Sequence, residues 1–149
     1  KTTPNFRLPE KWAVRIGGGT NHRYALYDMI MIKDNHVDFA GGIEKAISST
    51  TKYLKENNLN LEIEVETRNL NEVEEVLKTG GVQRILLDNM SIEELSKSVK
   101  LIDGKMKAEA SGGITEKTIK EVAETGVDFI SVGALTHSYS GLDMSLKAF

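Results

Sequence analysis

Leu61-Glu62-Ile63-Glu64-Val65-Glu66 alternates aliphatic and glutamate side chains, the period-two signature of a strand with one apolar and one polar face. The run stops at a charged residue. Shortly after it, Leu70, Val73, Val76 and Leu77 recur at helical spacing. This phrase of strand, polar tip and helix is repeated along the chain. Met29 to Ile32 leads into Lys33, Ile85 to Leu87 into Asp88, Met106 to Ala110 into Ser111-Gly112-Gly113, and Phe129 to Val132 into Gly133. From Lys33 to Glu66 is 33 residues, and the later tips follow at 22, 23 and 22. Apart from the first, each step is close to one βα unit. The fold class is therefore α/β, a parallel-strand α/β barrel of the TIM-like kind. It is expected to be incomplete in this chain, because eight such units take about 250 residues. Strand C-termini converge at one rim of such a barrel. Lys33, Glu66 and Asp88 are thus the candidate catalytic residues, and their charges point to an anionic substrate.

The intervening segments read as helices. Ile43, Ala46, Ile47, Thr50 and Leu54 predict one over about 42–57. Thr79-Gly80-Gly81 closes the next. Ser91 with Glu94 forms a capping box ahead of the apolar stripe Ile92, Leu95, Val99 and Ile102. Thr115 is expected to cap a helix with Ile119, Val122 and Ala123 inward, stopped by Gly126. The stretches beginning at Val76 and Val122 echo one another through Thr-Gly and into the following strand. Residues 1–28 read as irregular. Pro4 and Pro9 are expected to interrupt any helix there, leaving room for a short element over 10–16. No linker or low-complexity stretch divides the chain, which reads as one domain, truncated at its N-terminus.

The polar strand faces carry Glu62, Glu64 and Glu66 on one strand and Lys105, Lys107, Glu109 and Ser111 on another. In a barrel these point into the lumen, where charges must be paired; Lys107 and Glu109 are expected to be lumenal partners of the glutamate row. Residues 1–7 and 17–23 concentrate Lys1, Arg7, His22 and Arg23 around Gly17-Gly18-Gly19, cations and backbone donors suited to carboxylate or phosphate. His36 follows Lys33-Asp34-Asn35 and reads equally as ordering that loop or touching substrate, so it is not counted among the catalytic residues. Trp12 and Tyr53 read as packing residues.

Composition narrows the classes. A net charge of −3 and a pI near 5.7 do not suit an obligatory nucleic-acid partner. The chain has no cysteine, which removes disulfides, thiol nucleophiles and zinc–thiolate sites. No apolar run reaches membrane-spanning length, no signal-type apolar segment opens the chain, and a cytoplasmic protein is expected. No histidine cluster has metal-ligand spacing, so no protein-held metal site is expected.

Lys1-Thr-Thr-Pro-Asn-Phe-Arg7, Gly17-Gly-Gly-Thr-Asn-His-Arg23, Leu26-Tyr-Asp-Met-Ile-Met-Ile-Lys-Asp-Asn-His36, Ile85-Leu-Leu-Asp-Asn-Met90, Glu109-Ala-Ser-Gly-Gly-Ile114 and Ser131-Val-Gly-Ala-Leu-Thr-His-Ser138 stand in this order. Together they resemble the quinolinate phosphoribosyltransferase family, the carboxylating nicotinate-nucleotide pyrophosphorylases. The resemblance spans Lys1 to Leu146. It implies transfer of phosphoribose from phosphoribosyl pyrophosphate to quinolinate with loss of CO₂, giving nicotinate mononucleotide for NAD biosynthesis. It also implies the C-terminal barrel domain of a two-domain subunit, in a homodimer or higher assembly. An N-terminal sandwich domain and the first barrel strand or strands would then lie outside this chain, together with an arginine preceding Lys1 and another from the sandwich domain. A chain of 149 residues acting alone is not expected to turn over normally.

Carried over by position, the resemblance gives Lys1, His22, Arg23 and Lys33 the quinolinate carboxylates and the pyrophosphate. Glu66 and Asp88 take the ribose hydroxyls and the metal-bound diphosphate, with Glu64 the alternative to Glu66. Ser111, Gly112, Gly113, Gly133 and Ala134 form phosphate-binding loops, with His137 nearby. Mg²⁺ is the implied cofactor, held mainly through the donor's diphosphate. Two departures stand out: Asn5-Phe6 in place of Gly-Leu, and an extra glycine at Gly80-Gly81. The residue types also fit other readings: a barrel lyase using Lys33 as a Schiff-base amine with Glu66 as proton carrier, a related phosphoribosyltransferase with another acceptor, or a catalytically incomplete piece.

Overall fold

Alternation along the strands decides the sheet. The computed structural model describes residues 1–149. They group into two units, residues 23–132 and residues 1–22 with 133–149. In the larger unit β1 (Ile30–Ile32), β2 (Ile63–Thr67), β3 (Arg84–Asp88), β4 (Lys107–Ser111) and β5 (Phe129–Ile130) form one sheet. Every pairing is parallel and the order is β1-β2-β3-β4-β5. Right-handed crossovers that always step in the same direction put all helices on one face. This is the singly wound α/β arrangement of a TIM-like barrel, with β1 and β5 as edges.

The register sorts the two faces. Ile32, Val65, Ile85, Leu87, Ala108 and Ala110 belong to the apolar side and are at most 3% exposed. Helices α2 (Asp34–Ala40), α3 (Ile43–Glu56), α4 (Leu70–Thr79), α5 (Ile92–Ile102) and α6 (Ile119–Glu124) connect the strands. They bring Val37, Ile43, Ile47, Val73, Val76, Leu95 and Ile102 into the same core. Burying each such side chain fully stabilises by roughly 1.5–3 kcal/mol. The opposite face carries Glu64 and Glu66 of β2, Arg84 and Asp88 of β3, and Lys107, Glu109 and Ser111 of β4.

Ser91 and Glu94 form the expected reciprocal box at the start of α5. Gly80, the C-cap of α4, has φ +67 and Gly126, beyond α6, has φ +89. These are backbone conformations open to glycine at little cost.

The structure corrects several sequence expectations. Helix α2, directly after Lys33, was not expected; His36 accepts the Lys33 N–H at its start, so that histidine orders a helix cap rather than a loop. Strand β2 continues past Glu66 to Thr67, while β5 stops at Ile130. Thr115 opens a turn, receiving the N–H groups of Thr118 and Ile119, and α6 begins at Ile119. On α6 only Val122 is buried, and Ile119 and Ala123 are exposed.

In the smaller unit α1 (Arg7–Ile16) contains Pro9 instead of being broken by it. Pro9 lies in the first turn, where backbone N–H groups have no helical partner to lose. Trp12 is 65% exposed on α1, and Tyr53 of the larger unit is 53% exposed, so neither is core. Asn5 has φ +61; asparagine is among the few side-chain-bearing residues that tolerate this region, which accounts for its standing in a glycine position. The second helix of this unit is α7 (Ala134–His137).

Candidate active site

Parallel register brings the strand tips to the same end of the sheet, with Asp88 two residues beyond Leu86, the residue opposite Glu66. Ile32 is opposite Val65, so Lys33 follows at the height of Glu66; Asp88 is opposite Ser111. The Lys33 ammonium lies 3.6 Å from the Glu66 carboxylate, whose side chain is 12% exposed. Burial pushes the Glu66 carboxyl above its ordinary range. Lys33 opposes that shift, and the negative charges of Asp88 and Asp34 add to it. Lys33, Glu66, Asp88 and Ser111 thus converge at one rim, where a carboxyl group is poised beside a cation and a second carboxylate. Glu64 lies two residues deeper on the same face and is fully buried, so Glu66 is the glutamate at the rim.

Below the rim the charges are organised differently from the expected glutamate–lysine network. Glu109, 1% exposed, accepts from Arg84 at 2.7 Å and from the Ser131 hydroxyl. Lys107 pairs instead with Asp128 at 2.6 Å, and the other Asp128 oxygen accepts the Ala108 N–H. Despite burial that would raise it, Lys107 and that N–H hold the Asp128 carboxyl below its ordinary value. The reason is position: Lys107 opens β4 at the end of the sheet away from the rim and reaches out rather than in. Gln83 repeats the Asp128 arrangement, accepting the Ile63 N–H at 2.8 Å. The sequence echo thus marks a side chain, placed just before a strand, that caps the neighbouring strand.

Arg23 donates to the carbonyl of Met29, immediately before β1. Gly112 and Gly113 follow β4, both at positive φ, +98 and +60. They border a pocket of about 210 Å³ with Met90, Leu95, Ile114 and Val122 among its walls.

The smaller unit assembles its own group. The Thr136 hydroxyl donates to the carbonyl of Lys1 at 2.8 Å. Gly133 and Ala134 start α7, and His137 folds back so that a Cβ on Gly133 would meet its Nε2 at 2.7 Å. The His137 Nδ1 is 2.6 Å from the Ser138 hydroxyl. Glu10, 6% exposed, holds the Thr3 N–H and hydroxyl at 2.8 and 2.6 Å. Lys1, Gly133, Ala134 and His137 are therefore brought together, with Glu10 and Thr136 fixing the segment that carries Lys1. His22, also in this unit, is half-buried.

Residues 1–147 match the family profile of the quinolinate phosphoribosyl transferase C-terminal domain. The chain belongs to the quinolinate phosphoribosyl transferase family. It is 50% identical, over an alignment of 161 residues covering 99% of this chain and 46% of the relative, to the chloroplastic carboxylating nicotinate-nucleotide pyrophosphorylase of Arabidopsis thaliana. It is 44% identical to a probable carboxylating nicotinate-nucleotide pyrophosphorylase of Synechocystis, covering 99% of this chain and 50% of that protein. Among solved structures, NadC from Streptococcus pyogenes superposes with a TM-score of 0.91 at 44% identity, over 99% of this chain and 50% of that one. The chain spans about half the length of the curated relatives it matches.

Arg84, Asp128, Glu10 and Thr136 went unnoticed in the sequence. The doubled Thr-Gly echo was a usable signal for Asp128. Nothing in the sequence sets Glu10 or Thr136 apart, because their partners are defined only by how the chain folds back.

Proposed function

We propose that this chain is the C-terminal barrel domain of a phosphoribosyltransferase that converts quinolinate and phosphoribosyl pyrophosphate to nicotinate mononucleotide, pyrophosphate and CO₂, a step of NAD biosynthesis. The observation that carries the reading is the Lys33–Glu66 pair beside Asp88 at adjacent strand tips, in a chain that fits this family over residues 1–147.

The residue types suit the chemistry. The pyridine nitrogen of quinolinate attacks C1 of ribose as the bond from C1 to the pyrophosphate oxygen breaks. Positive charge develops on the ribose, and the carboxyl groups of Glu66 and Asp88 hold its hydroxyls and stabilise that charge. The resulting pyridinium accepts the electron pair left when the carboxylate beside the nitrogen departs as CO₂; a proton then takes its place. No protein nucleophile is needed. Lys33, Arg23, His22 and Lys1 balance the two carboxylates and the leaving group, so that two anions are held side by side. Ser111, Gly112 and Gly113 receive the 5′-phosphate through backbone N–H groups, and Gly133, Ala134 and His137 form a second phosphate loop.

Two carboxyl groups at an open rim suit Mg²⁺, which favours one or two carboxylates together with phosphate oxygens and water. It would be held mainly through diphosphate oxygens and water, with Glu66 and Asp88 facing that metal-bound diphosphate, and it supplies neutralisation of the diphosphate charge. No helix is long and apolar enough to cross a membrane. Cytoplasmic location and assembly as a homodimer or larger homo-oligomer belong to the same proposal, as does the two-domain subunit.

The test is a stoichiometric assay on the complete subunit with quinolinate, phosphoribosyl pyrophosphate and Mg²⁺. Nicotinate mononucleotide, pyrophosphate and CO₂ in equal amounts are expected. Ribosylation of another acceptor with no binding of quinolinate would assign the chain to a related transferase.

A further inference from the structure

Between the tip of β3 and the cap of α5 the chain turns at Asn89, a residue with φ +53. Three contacts meet there. Its side-chain amide donates to the Asp88 carboxylate at 2.7 Å. Its backbone N–H donates to the carbonyl of Ser111 at 2.9 Å, across to the end of β4. Its side chain also fills the space beside Gly112: a Cβ there would lie 2.2 Å from the Asn89 Oδ1 and 2.8 Å from its backbone nitrogen. Gly112 is therefore required twice, by φ +98 and by Asn89.

We propose that Asn89 is a positioning residue that locks the Asp88 carboxylate to the Ser111-Gly112-Gly113 loop, so that the ribose-binding carboxylate and the phosphate loop keep a fixed separation. The inference rests on the function proposed above and adds to it the element that sets the donor's geometry. Asp88 is only half-buried at its strand tip, and an aspartate with that much open space has more than one rotamer to choose from. An amide from the next residue selects one of them, and only an αL backbone at residue 89 lets one residue serve the aspartate and the neighbouring strand together. Asparagine suits both demands, since its short amide donates locally and it tolerates αL better than most residues. One donor molecule carries ribose hydroxyls and a 5′-phosphate on a stiff ring, so a small slip between the two sites lowers the reactive fraction steeply.

Asn89→Gly in the complete subunit is the informative variant, because glycine keeps the αL backbone and removes only the amide and the packing. The expected result is a fall in kcat of tenfold or more and weaker binding of phosphoribosyl pyrophosphate, with quinolinate affinity by calorimetry within twofold of wild type. Combined with Asp88→Asn, the effects should not multiply: the double variant should lose little more kcat than Asp88→Asn alone. Fully multiplicative losses, or a folded Asn89→Gly protein with unchanged kcat and donor binding, would overturn the proposal. Hydrogen exchange at the residue 89 amide, corrected for intrinsic rate, reads the lock without turnover. Faster exchange in Asn89→Gly supports it and unchanged protection refutes it. A wild-type protein that binds no quinolinate would remove the proposed reaction, while the exchange measurement would still decide the lock.

Discussion

Replacing Arg84 by Met tests whether the polar face of the sheet is held by a specific ion pair. Arg84 on β3 donates to Glu109 on β4 at 2.7 Å, with side chains 18% and 1% exposed. Its guanidinium also lies 4.3 Å from the centre of the Phe129 ring on β5. Methionine keeps most of the packing volume and removes the charge. Taking one partner from a buried pair costs about 3–5 kcal/mol. Glu109 keeps the Ser131 hydroxyl and Arg84 is not fully enclosed, so the lower end applies, about 3 kcal/mol. Loss of the cation–π contact adds about 0.5–1 kcal/mol. For a chain of this size that is a fall in Tm of roughly 7–16 °C. Urea unfolding followed by circular dichroism should show the midpoint falling with the m-value unchanged. Exchange at the Ser131 amide, which donates to Ala110 across the β4–β5 edge, should accelerate more than exchange between β2 and β3. Arg84→Met with Glu109→Gln should recover most of the loss, since position 109 then carries no unpaired charge. A single variant within about 0.5 kcal/mol of wild type, below the usual effect of a core change, would mean that the pair is incidental. A double variant as unstable as the single one would mean that packing, not charge, was lost.

The Asp128 carboxyl is held below its ordinary value of 3.8, so its stabilising effect is present above that value and disappears as pH falls through the folded-state value. Asp128→Asn should cost about 0.5–1 kcal/mol at pH 7, a partly exposed pair being worth no more. The gap in urea midpoints should narrow at pH 3, and a gap that persists there would contradict the charge-based account. Lys33→Met in the complete subunit should weaken quinolinate binding by about 1.5–3 kcal/mol, and Arg23→Ala likewise; unchanged calorimetric affinity would remove either residue from the acceptor site. Asp88→Asn should act mainly on kcat rather than on quinolinate KM, because its contact strengthens as the ribose becomes cationic. A change confined to KM would mean that the roles are wrongly divided. Ser91→Ala should destabilise by about 1 kcal/mol through loss of the α5 cap, measured as a shift in Tm.

What the sequence determined by itself was whatever follows from local period and from order along the chain. The alternation in 61–66 fixed which side of β2 is apolar, and the tip-to-tip spacing fixed parallel strands with Lys33, Glu66, Asp88 and Ser111 at one end. The capping box at Ser91 and the glycines at 80 and 126 could be read because a cap or a positive φ depends on a few neighbouring residues. The structure alone decided the pairings between distant residues. Lys107 could have met a glutamate in the lumen, but its place at the start of β4 sends it to Asp128, while Arg84 one strand away takes Glu109. Glu10 found Thr3, Thr136 found the carbonyl of Lys1, and Asn89 found Asp88 and Ser111 because folding brought those atoms within hydrogen-bonding distance. Period tells which face a side chain takes. Which partner waits on that face depends on register and on the path of the returning chain, and neither is written in any local stretch of residues.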